Sequence, residues 1–478
     1  MRKTKIVATL GPATDDLAVL RGMVEEGLDV ARFNFSHSEH EEHKNRVDNI
    51  RMLCEQTGRT VALMADTKGP EIRLGKFQEG KVQLTEGSAF TLTSVEILGD
   101  ASKASITYAK LPYEVSDGTR ILLDDGLIEL VVESVTGIDI FTRVVTGGEI
   151  SDRKGVNVPG VKLKLPYISA KDRMDLRFAA ENEFDIIAAS FVRSAADISE
   201  IREELHRLGQ GSKIKIIAKI ENAEGVKNAD SILAVCDGLM VARGDLGVEV
   251  AYEELPIIQK DLIKRAVSQG KPCITATQML ESMISNPTPT RAETSDVANA
   301  IYDGTSAIML SGETAMGKYP LGALKTMAKI AERIERAIDY KQRFFRGEYK
   351  SETSITNAIS HATVTTSHDL GTAAILTVSM SGITAQNVAK FRPTCPIIAC
   401  TPDPMVQRQL KLIWGVVPLL TGKETDPAAL FNQAVESALA GGYVEKGDLV
   451  VITAGVPVGH SGTTNMSLVH VVGSNLVF

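Results

Sequence analysis

The sequence predicts an α/β fold: a (β/α)₈ TIM barrel with an inserted all-β lid domain, followed by a C-terminal open-sheet α/β domain. Three observations predict it. Short apolar strands alternate with helices over residues 4–67, and again from about residue 169. Many of those strands end in chemically useful side chains. Between the two stretches the pattern changes to short, β-branched, alternating runs broken by turn signals.

The elements follow in order. Lys5–Leu10 reads as the first strand. Leu17–Glu26 has helical spacing and stops at Gly27, a C-terminal cap signal. Asp29–Phe35 is the second strand, His40–Thr57 a helix ending at Gly58, and Thr60–Ala65 the third strand. From about Pro70 to Ile168 no long amphipathic helix appears, and Gly80, Glu86-Gly87, Asp117-Gly118, Asp124-Asp125-Gly126 and Gly147-Gly148 mark turns. Strands resume at Asp185–Ser190, Lys213–Ile220, Gly238–Ala242, Pro272–Ala276 and Ser306–Leu310, which completes eight. A helix from about Pro320 to Phe344 closes the barrel. A linker around residues 347–354 precedes strands Ala373–Val378, Ile397–Cys400, Val416–Leu420 and Leu449–Thr453, with helices between them in a doubly wound sheet. The expected domains are residues 1–69 with 170–345 for the barrel, 70–169 for an inserted β-barrel lid, and 346–478 for the C-terminal α/β domain.

Composition narrows the function. With 478 residues, 44% hydrophobic and 23% charged, the chain has ample core. The net charge of −8, from 52 basic and 60 acidic residues, argues against a nucleic-acid partner, which needs a basic footprint. A phosphate ligand stays open, because it needs only a local basic site. Cys54, Cys236, Cys273, Cys395 and Cys400 are odd in number, lack C-x-x-C spacing and mostly sit beside apolar runs, so buried reduced thiols are expected. No apolar leader precedes a cleavage site, and no run reaches the ~18 apolar residues of a membrane helix. A cytoplasmic protein without a membrane partner is expected.

The chemistry gathers at strand ends. Arg32, Asn34 and Ser36 close VARFNFS, and Asp66 and Thr67 close TVALMADT. Lys219 and Glu221 close IKIIAKIE, and Arg243 and Asp245 close GLMVARGD. Thr277 closes CITAT, while Ser311 and Glu313 close SAIMLSGE. In a barrel, carboxyl strand ends build the active-site face. Glu221 and Asp245, on sequential strand tips, suit Mg²⁺ or Mn²⁺, hard ions that keep positions for substrate. The plainer reading is helix N-capping; Lys219 beside Glu221 favours the metal. Lys219 and Glu221 share strand parity and so face one side. A lysine there stabilises an enolate or a phosphoryl group in transfer, although a solvated strand-end lysine fits position alone. Gly244 opens the backbone to a ligand, and the following helix start offers N–H groups to a carboxylate or phosphate. Arg32 is a phosphate fork. Asn34, Ser36, Asp66 and Thr67 form an oxygen-rich set for a second, monovalent cation, with strand-end capping as the alternative.

Two further motifs stand apart. Gly312 to Lys318 has P-loop spacing, but Tyr319 stands where Ser or Thr should hold Mg²⁺, and the run follows a late barrel strand. It is read as no P-loop. In the third region Ser379, Ser381, Gly382 and Thr384 precede a helix expected near Ala385 and make an anion nest. The loop Gly455–Thr464, with Ser461, Thr463 and Thr464, could face it. Plain capping by Ser and Thr explains the same residues.

Taken together, TKIVATLGPAT, ARFNFSH, DTKGPEIR, LDDGLI, KGVNVPG, KIEN, VARGDLGVE, ATQMLESM, PTRAETSDVANA and MLSGETA resemble the pyruvate kinase family over essentially the whole chain. The resemblance implies phosphoryl transfer from phosphoenolpyruvate to ADP, giving pyruvate and ATP. It implies that Glu221 and Asp245 hold Mg²⁺ or Mn²⁺, that Lys219 stabilises the moving phosphoryl and the enolate, and that Arg32 binds the phosphate. Gly244, Asp245 and Thr277 would hold the substrate carboxylate, and Thr277 or Ser311 would join the proton relay. Asn34, Ser36, Asp66 and Thr67 would bind K⁺. Arg73 would sit at the lid hinge near the phosphates, with His37, Asn34 and Lys154 toward the nucleotide. Glu71 implies potassium dependence, since a Lys there would replace the ion's charge. The family pattern also implies a homotetramer and an effector-binding C-terminal domain, with Ser379, Ser381, Gly382 and Thr384 on a phosphorylated effector. Met380 and Ile383 depart from some members, which leaves fructose 1,6-bisphosphate, a monophosphorylated sugar or AMP open. A metal-dependent oxo-acid aldolase and a non-catalytic metabolite sensor are the competing readings.

Overall fold

Eight parallel strands close into a barrel: β1 (Lys5–Thr9), β2 (Val30–Asn34), β3 (Ala62–Asp66), β4 (Ile186–Ala189), β5 (Lys215–Ile220), β6 (Gly238–Ala242), β7 (Cys273–Ala276) and β8 (Ala307–Leu310). The structure is a computed structural model and describes residues 1–211, 213–347, 353–424, 426–456 and 463–474. Neighbours in sequence are neighbours in the sheet, and β8 pairs with β1 through Lys5 opposite Ala307 and Val7 opposite Met309. These strands are buried on both faces, which is why they read as unbroken apolar runs. Val7, Val30, Met64, Ile217, Met240, Ile274 and Met309 fill the interior, so the barrel is a packed core and not a pore. Large side chains such as Phe33, Phe184 and Leu246 pack the strands' outer faces against the helical ring, each contributing about 1.5–3 kcal/mol.

The inserted region is all-β apart from one short turn of 3₁₀ helix at Leu111–Tyr113. Its seven-stranded sheet runs in the order 72–73, 155–157, 120–123, 128–136, 139–146, 89–93, 103–105. A single bridge between Leu74 and Ile106 joins the two ends of that sheet. A separate ribbon pairs Gly148–Ser151 with Lys81–Leu84.

The C-terminal sheet has the order β11-β10-β9-β12-β13, with β9 (Ala374–Val378), β10 (Ile397–Thr401), β11 (Val416–Leu420), β12 (Leu449–Gly455) and β13 (Thr464–Val471). The first four are parallel. β13 is an antiparallel edge strand that the sequence reading did not include. Its side chains alternate between exposed and covered, so it lacks the apolar run that marks its neighbours. Two helices also differ from expectation. The helix expected over Pro320 to Phe344 is two, Pro320–Glu335 and Tyr340–Phe345, because Asp339 caps the second through Gln342 N at 2.8 Å. The helix expected near Ala385 begins at Ile383, where Gly382 takes a left-handed backbone (φ +76°).

The C-terminal domain docks under the barrel floor, opposite the strand ends that carry the chemistry. Leu412 plugs the barrel interior from below. Asp29 is held by Arg2 and Lys411, each at 2.8 Å, and Asp185 by Arg408 at 2.7 Å. Lys5 Nζ donates to the Val416 carbonyl at 2.7 Å. All five cysteines are unbonded thiols, and no described helix is long and apolar enough to cross a membrane.

Candidate active site

At the top of the barrel, β2, β3 and β5 deliver charge to one point. Arg32, in β2, puts Nε 2.6 Å from Asp66 Oδ2, and its Nη1 donates to Thr9 Oγ1 at 2.7 Å. Lys219, near the end of β5, lies 3.0 Å from Asp66 Oδ1 and 3.0 Å from Glu221 Oε1. Its ammonium also donates to Ser190 Oγ at 2.7 Å. All of these side chains are buried. Burial works against each charge, and the partners decide the outcome. The Asp66 carboxyl is raised by burial, but Arg32 and Lys219 outweigh that and hold it below its usual range. Burial lowers the Lys219 ammonium, but Asp66 and Glu221 outweigh it and hold it above its usual range.

Glu221 differs. Burial pushes it up to about 7, Lys219 opposes, and Asp245 adds to the rise. Asp245 is raised too, first by burial, with the Glu221 carboxyl beside it. Neither carboxylate is an N-cap. Asn222 caps the helix after β5 through Gly225 N at 2.7 Å. Asp245 lies within the first turn of helix Arg243–Glu249, where Ala242 is the cap position. Asp66 is thus shared by Arg32 and Lys219, while Glu221 and Asp245 crowd two carboxyls together, a repulsion that a divalent cation would relieve. Among the described residues no group of three or more His, Cys, Asp or Glu gathers for a metal. An ion here would rest on two hard carboxylates plus water or substrate oxygens, a donor set that fits Mg²⁺ or Mn²⁺.

The surroundings form a cleft of about 800 Å³ between barrel and lid. Of the residues named from sequence, Arg32, Asn34, Ser36, His37, Arg73, Lys154, Lys219, Glu221 and Asp245 line it. Arg73 is ion-paired with Glu71 and donates to the Arg153 carbonyl at 3.0 Å. Lys154 pairs with Asp124 at 2.8 Å. Thr277 lies behind Asp245, its Oγ1 accepting from Gly244 N at 2.9 Å. Thr277 has φ +66°, unusual for a β-branched residue. Ser311 Oγ is buried without a hydrogen-bond partner. In the oxygen-rich set, Asn34 Oδ1 accepts from Ser36 N at 3.1 Å, and Thr67 Oγ1 accepts from Ser190 N at 3.2 Å.

Other residues lie elsewhere. The Gly312–Lys318 run makes no phosphate cradle: a Cβ on Gly317 would fall 2.4 Å from the Glu313 carbonyl oxygen. Glu313 is buried and accepts from Ser311 N and Leu280 N. In the C-terminal domain Ser379 Oγ accepts from Gly382 N at 3.1 Å, and Thr384 pairs with Thr464 at 2.8 Å. Ser381 lines the seam against the barrel floor. Ser461 lies outside the described residues.

Sequence reasoning missed Ser190 and Phe191. Ser190 bonds Lys219, Asp66 and the Thr67 carbonyl, and Phe191 N donates to Glu221 Oε2 at 2.5 Å. Their signal was present: they close the fourth strand as the named residues close the others.

Comparison with known proteins agrees with this geometry. The family model for the pyruvate kinase barrel domain matches residues 1–324, and that for the pyruvate kinase alpha/beta domain matches residues 357–470. The chain belongs to the pyruvate kinase family. A pyruvate kinase of Geobacillus stearothermophilus is 52% identical over 477 residues, covering 99% of this chain and 81% of the relative. One of Sporosarcina psychrophila is 49% identical over 481 residues, covering 100% of this chain and 81% of the relative. One of Clostridium acetobutylicum is 46% identical over 473 residues, covering 99% of this chain and 100% of the relative. The pyruvate kinase family is metal-dependent, in keeping with the carboxylate pair at the barrel mouth.

Proposed function

We propose that this chain transfers the phosphoryl group of phosphoenolpyruvate to ADP, giving pyruvate and ATP. The observation that carries it is Lys219, clamped between Asp66 and Glu221 at the mouth of the barrel beneath the lid. Phosphoryl transfer asks little covalent chemistry of a protein and much positioning and charge stabilisation. Arg32 binds the phosphate. Lys219 faces the phosphoryl in transfer and the enolate oxygen left behind. Glu221 and Asp245 hold Mg²⁺ or Mn²⁺, which supplies positive charge against the phosphoryl oxygens when bound. Gly244 and Asp245 backbone groups, with the Thr277 hydroxyl, hold the substrate carboxylate. Thr277 or Ser311 passes the proton that turns the enolate into pyruvate, and the unpartnered Ser311 hydroxyl suits that task.

Asn34, Ser36, Asp66 and Thr67 bind K⁺, with Glu71 leaving its charge unreplaced. Arg73, His37, Asn34 and Lys154 face the phosphates and nucleotide. The inserted domain excludes water, whose attack would waste the phosphoryl group. Ser379, Ser381, Gly382 and Thr384 take a phosphorylated effector, and the assembly is a cytoplasmic homotetramer. Phosphorus NMR of phosphoenolpyruvate, ADP, Mg²⁺ and K⁺ with the protein tests the reaction. The enol phosphate should fall as a new γ-phosphoryl signal rises in step. Retro-aldol cleavage of an oxo acid without ADP, or effector binding with no turnover, would overturn it.

A further inference from the structure

The two chain crossings between barrel and lid meet at one residue. On the outgoing crossing Gly69 has φ +70°, and a Cβ there would lie 2.9 Å from the Ser190 carbonyl oxygen. On the return crossing Tyr167 is buried, and its hydroxyl donates to that same carbonyl at 2.9 Å. Asp172 ties the crossings together. Its Oδ1 accepts from Gly69 N at 3.1 Å, and its Oδ2 accepts from Ser169 N at 2.9 Å. Arg193 completes the clamp by donating to the carbonyls of Leu163 at 3.2 Å and Leu165 at 3.1 Å.

The other side of Ser190 meets the chemistry. Its Oγ bonds Lys219 Nζ at 2.7 Å, the Thr67 carbonyl at 2.6 Å and Asp66 Oδ1 at 3.1 Å. The peptide unit joining Ser190 to Phe191 is the link. Its carbonyl takes the Tyr167 hydroxyl, and its N–H donates to Glu221 Oε2 at 2.5 Å. A peptide unit is planar and stiff, so a pull on one end moves the other. Phe191 has φ +54°, a conformation a bulky residue keeps only when its surroundings hold it.

We propose that Tyr167 is a positioning residue: its hydroxyl fixes the lid's return hinge to the Ser190–Phe191 peptide, and so holds Lys219 and Glu221 in register for transfer. This rests on the function proposed above. The lid and the charged cluster then move as one body. A lid out of place leaves Glu221 without its backbone donor and Lys219 without the Ser190 contact.

Tyr167→Phe keeps the ring and removes only the hydroxyl. Steady-state kinetics should show kcat down by about 5- to 10-fold with KM for phosphoenolpyruvate changed less than about twofold, as misplacement of a transferring group predicts. Amide hydrogen exchange of the free protein should speed up together in peptides covering 163–168 and 190–193, with the rest of the barrel unchanged. Unchanged kcat, faster exchange confined to 163–168, or a general loss of protection would overturn the proposal. Should Tyr167→Phe not fold, Arg193→Lys releases the Leu163 and Leu165 carbonyls and must give the same paired change in exchange; its absence overturns the proposal equally. Exchange needs no turnover, so an inactive wild-type protein would remove the functional reading and still leave the hinge coupling measurable.

Discussion

Lys219 Nζ and Glu221 Oε1 stand 3.0 Å apart, Lys219 near the end of β5 and Glu221 one residue past it. Residues two apart on an extended chain share a face, so the end of β5 and the residue that follows it present a cation and an anion side by side to the cleft. Asp66 completes the arrangement from β3, and it shares its two oxygens between Lys219 and Arg32. Removing the ammonium therefore has two effects. Lys219→Met should lower kcat by roughly 10²–10³-fold, the loss expected when one preorganised charge donor is removed. It should also destabilise the protein by about 3–5 kcal/mol, because buried carboxylates lose their partner. Steady-state kinetics and denaturant melts read the two effects separately. An active variant would remove Lys219 from the chemistry.

His43 gives a pH prediction. It packs behind the loop that carries Asn34 and Ser36, with Nε2 3.0 Å from the His37 carbonyl. Burial pushes its pKa down to about 4 from an ordinary 6.5. The unfolded chain thus takes up a proton near pH 6.5 that the folded chain refuses until about pH 4. The stabilising contribution is complete above pH 6.5 and is lost as pH falls toward 4. The slope is at most about 1.4 kcal/mol per pH unit. His43→Gln should flatten that part of the stability profile. Urea melts at several pH values, wild type against variant, measure the difference; identical slopes would show that His43 does not titrate this way.

Asp29 joins the domains. Arg2 and Lys411 hold it at 2.8 Å each, and Lys5 lies 4.0 Å away. Burial outweighs Asp29 at Lys5, whose pKa falls to about 8. Asp29→Asn would leave these cations facing one another, at a cost of about 3 kcal/mol or more. Calorimetry should show a lower Tm and separation of the C-terminal domain's transition from the barrel's. A single transition at the wild-type temperature would contradict this.

The potassium site proposed above gives a prediction at Glu71. It lies at the cleft wall, paired with Arg73. Glu71→Lys would carry a positive charge into that wall, so the potassium requirement for turnover should largely disappear. Titrating K⁺ against wild type and variant tests it; equal dependence in both would sink the role assigned to Glu71.

Arg32, Asp66, Lys219, Glu221 and Asp245 were legible as candidates because each puts a charge inside or within three residues of the carboxyl end of an apolar barrel strand. Ser190 follows the same pattern, but a lone serine at a strand end carries no charge to mark it. Tyr167 left no pattern, since its partner is a backbone carbonyl that only the folded chain brings near. The break at Asp339 was hidden because an acidic residue on a helix's polar face looks like any other. β13 was hidden because an edge strand with one uncovered face lacks the apolar run of its neighbours. Arg73 and Lys154 could be named from motif resemblance, but their partners Glu71 and Asp124 come from the folding of the lid.

The most direct test is pyruvate formation from phosphoenolpyruvate and ADP with Mg²⁺, measured in potassium buffer and in tetramethylammonium buffer. Strong turnover in potassium and little in tetramethylammonium is the predicted result. No turnover in either buffer, even with sugar phosphates or AMP added, would contradict the assignment of Lys219, Glu221 and Asp245 to phosphoryl transfer.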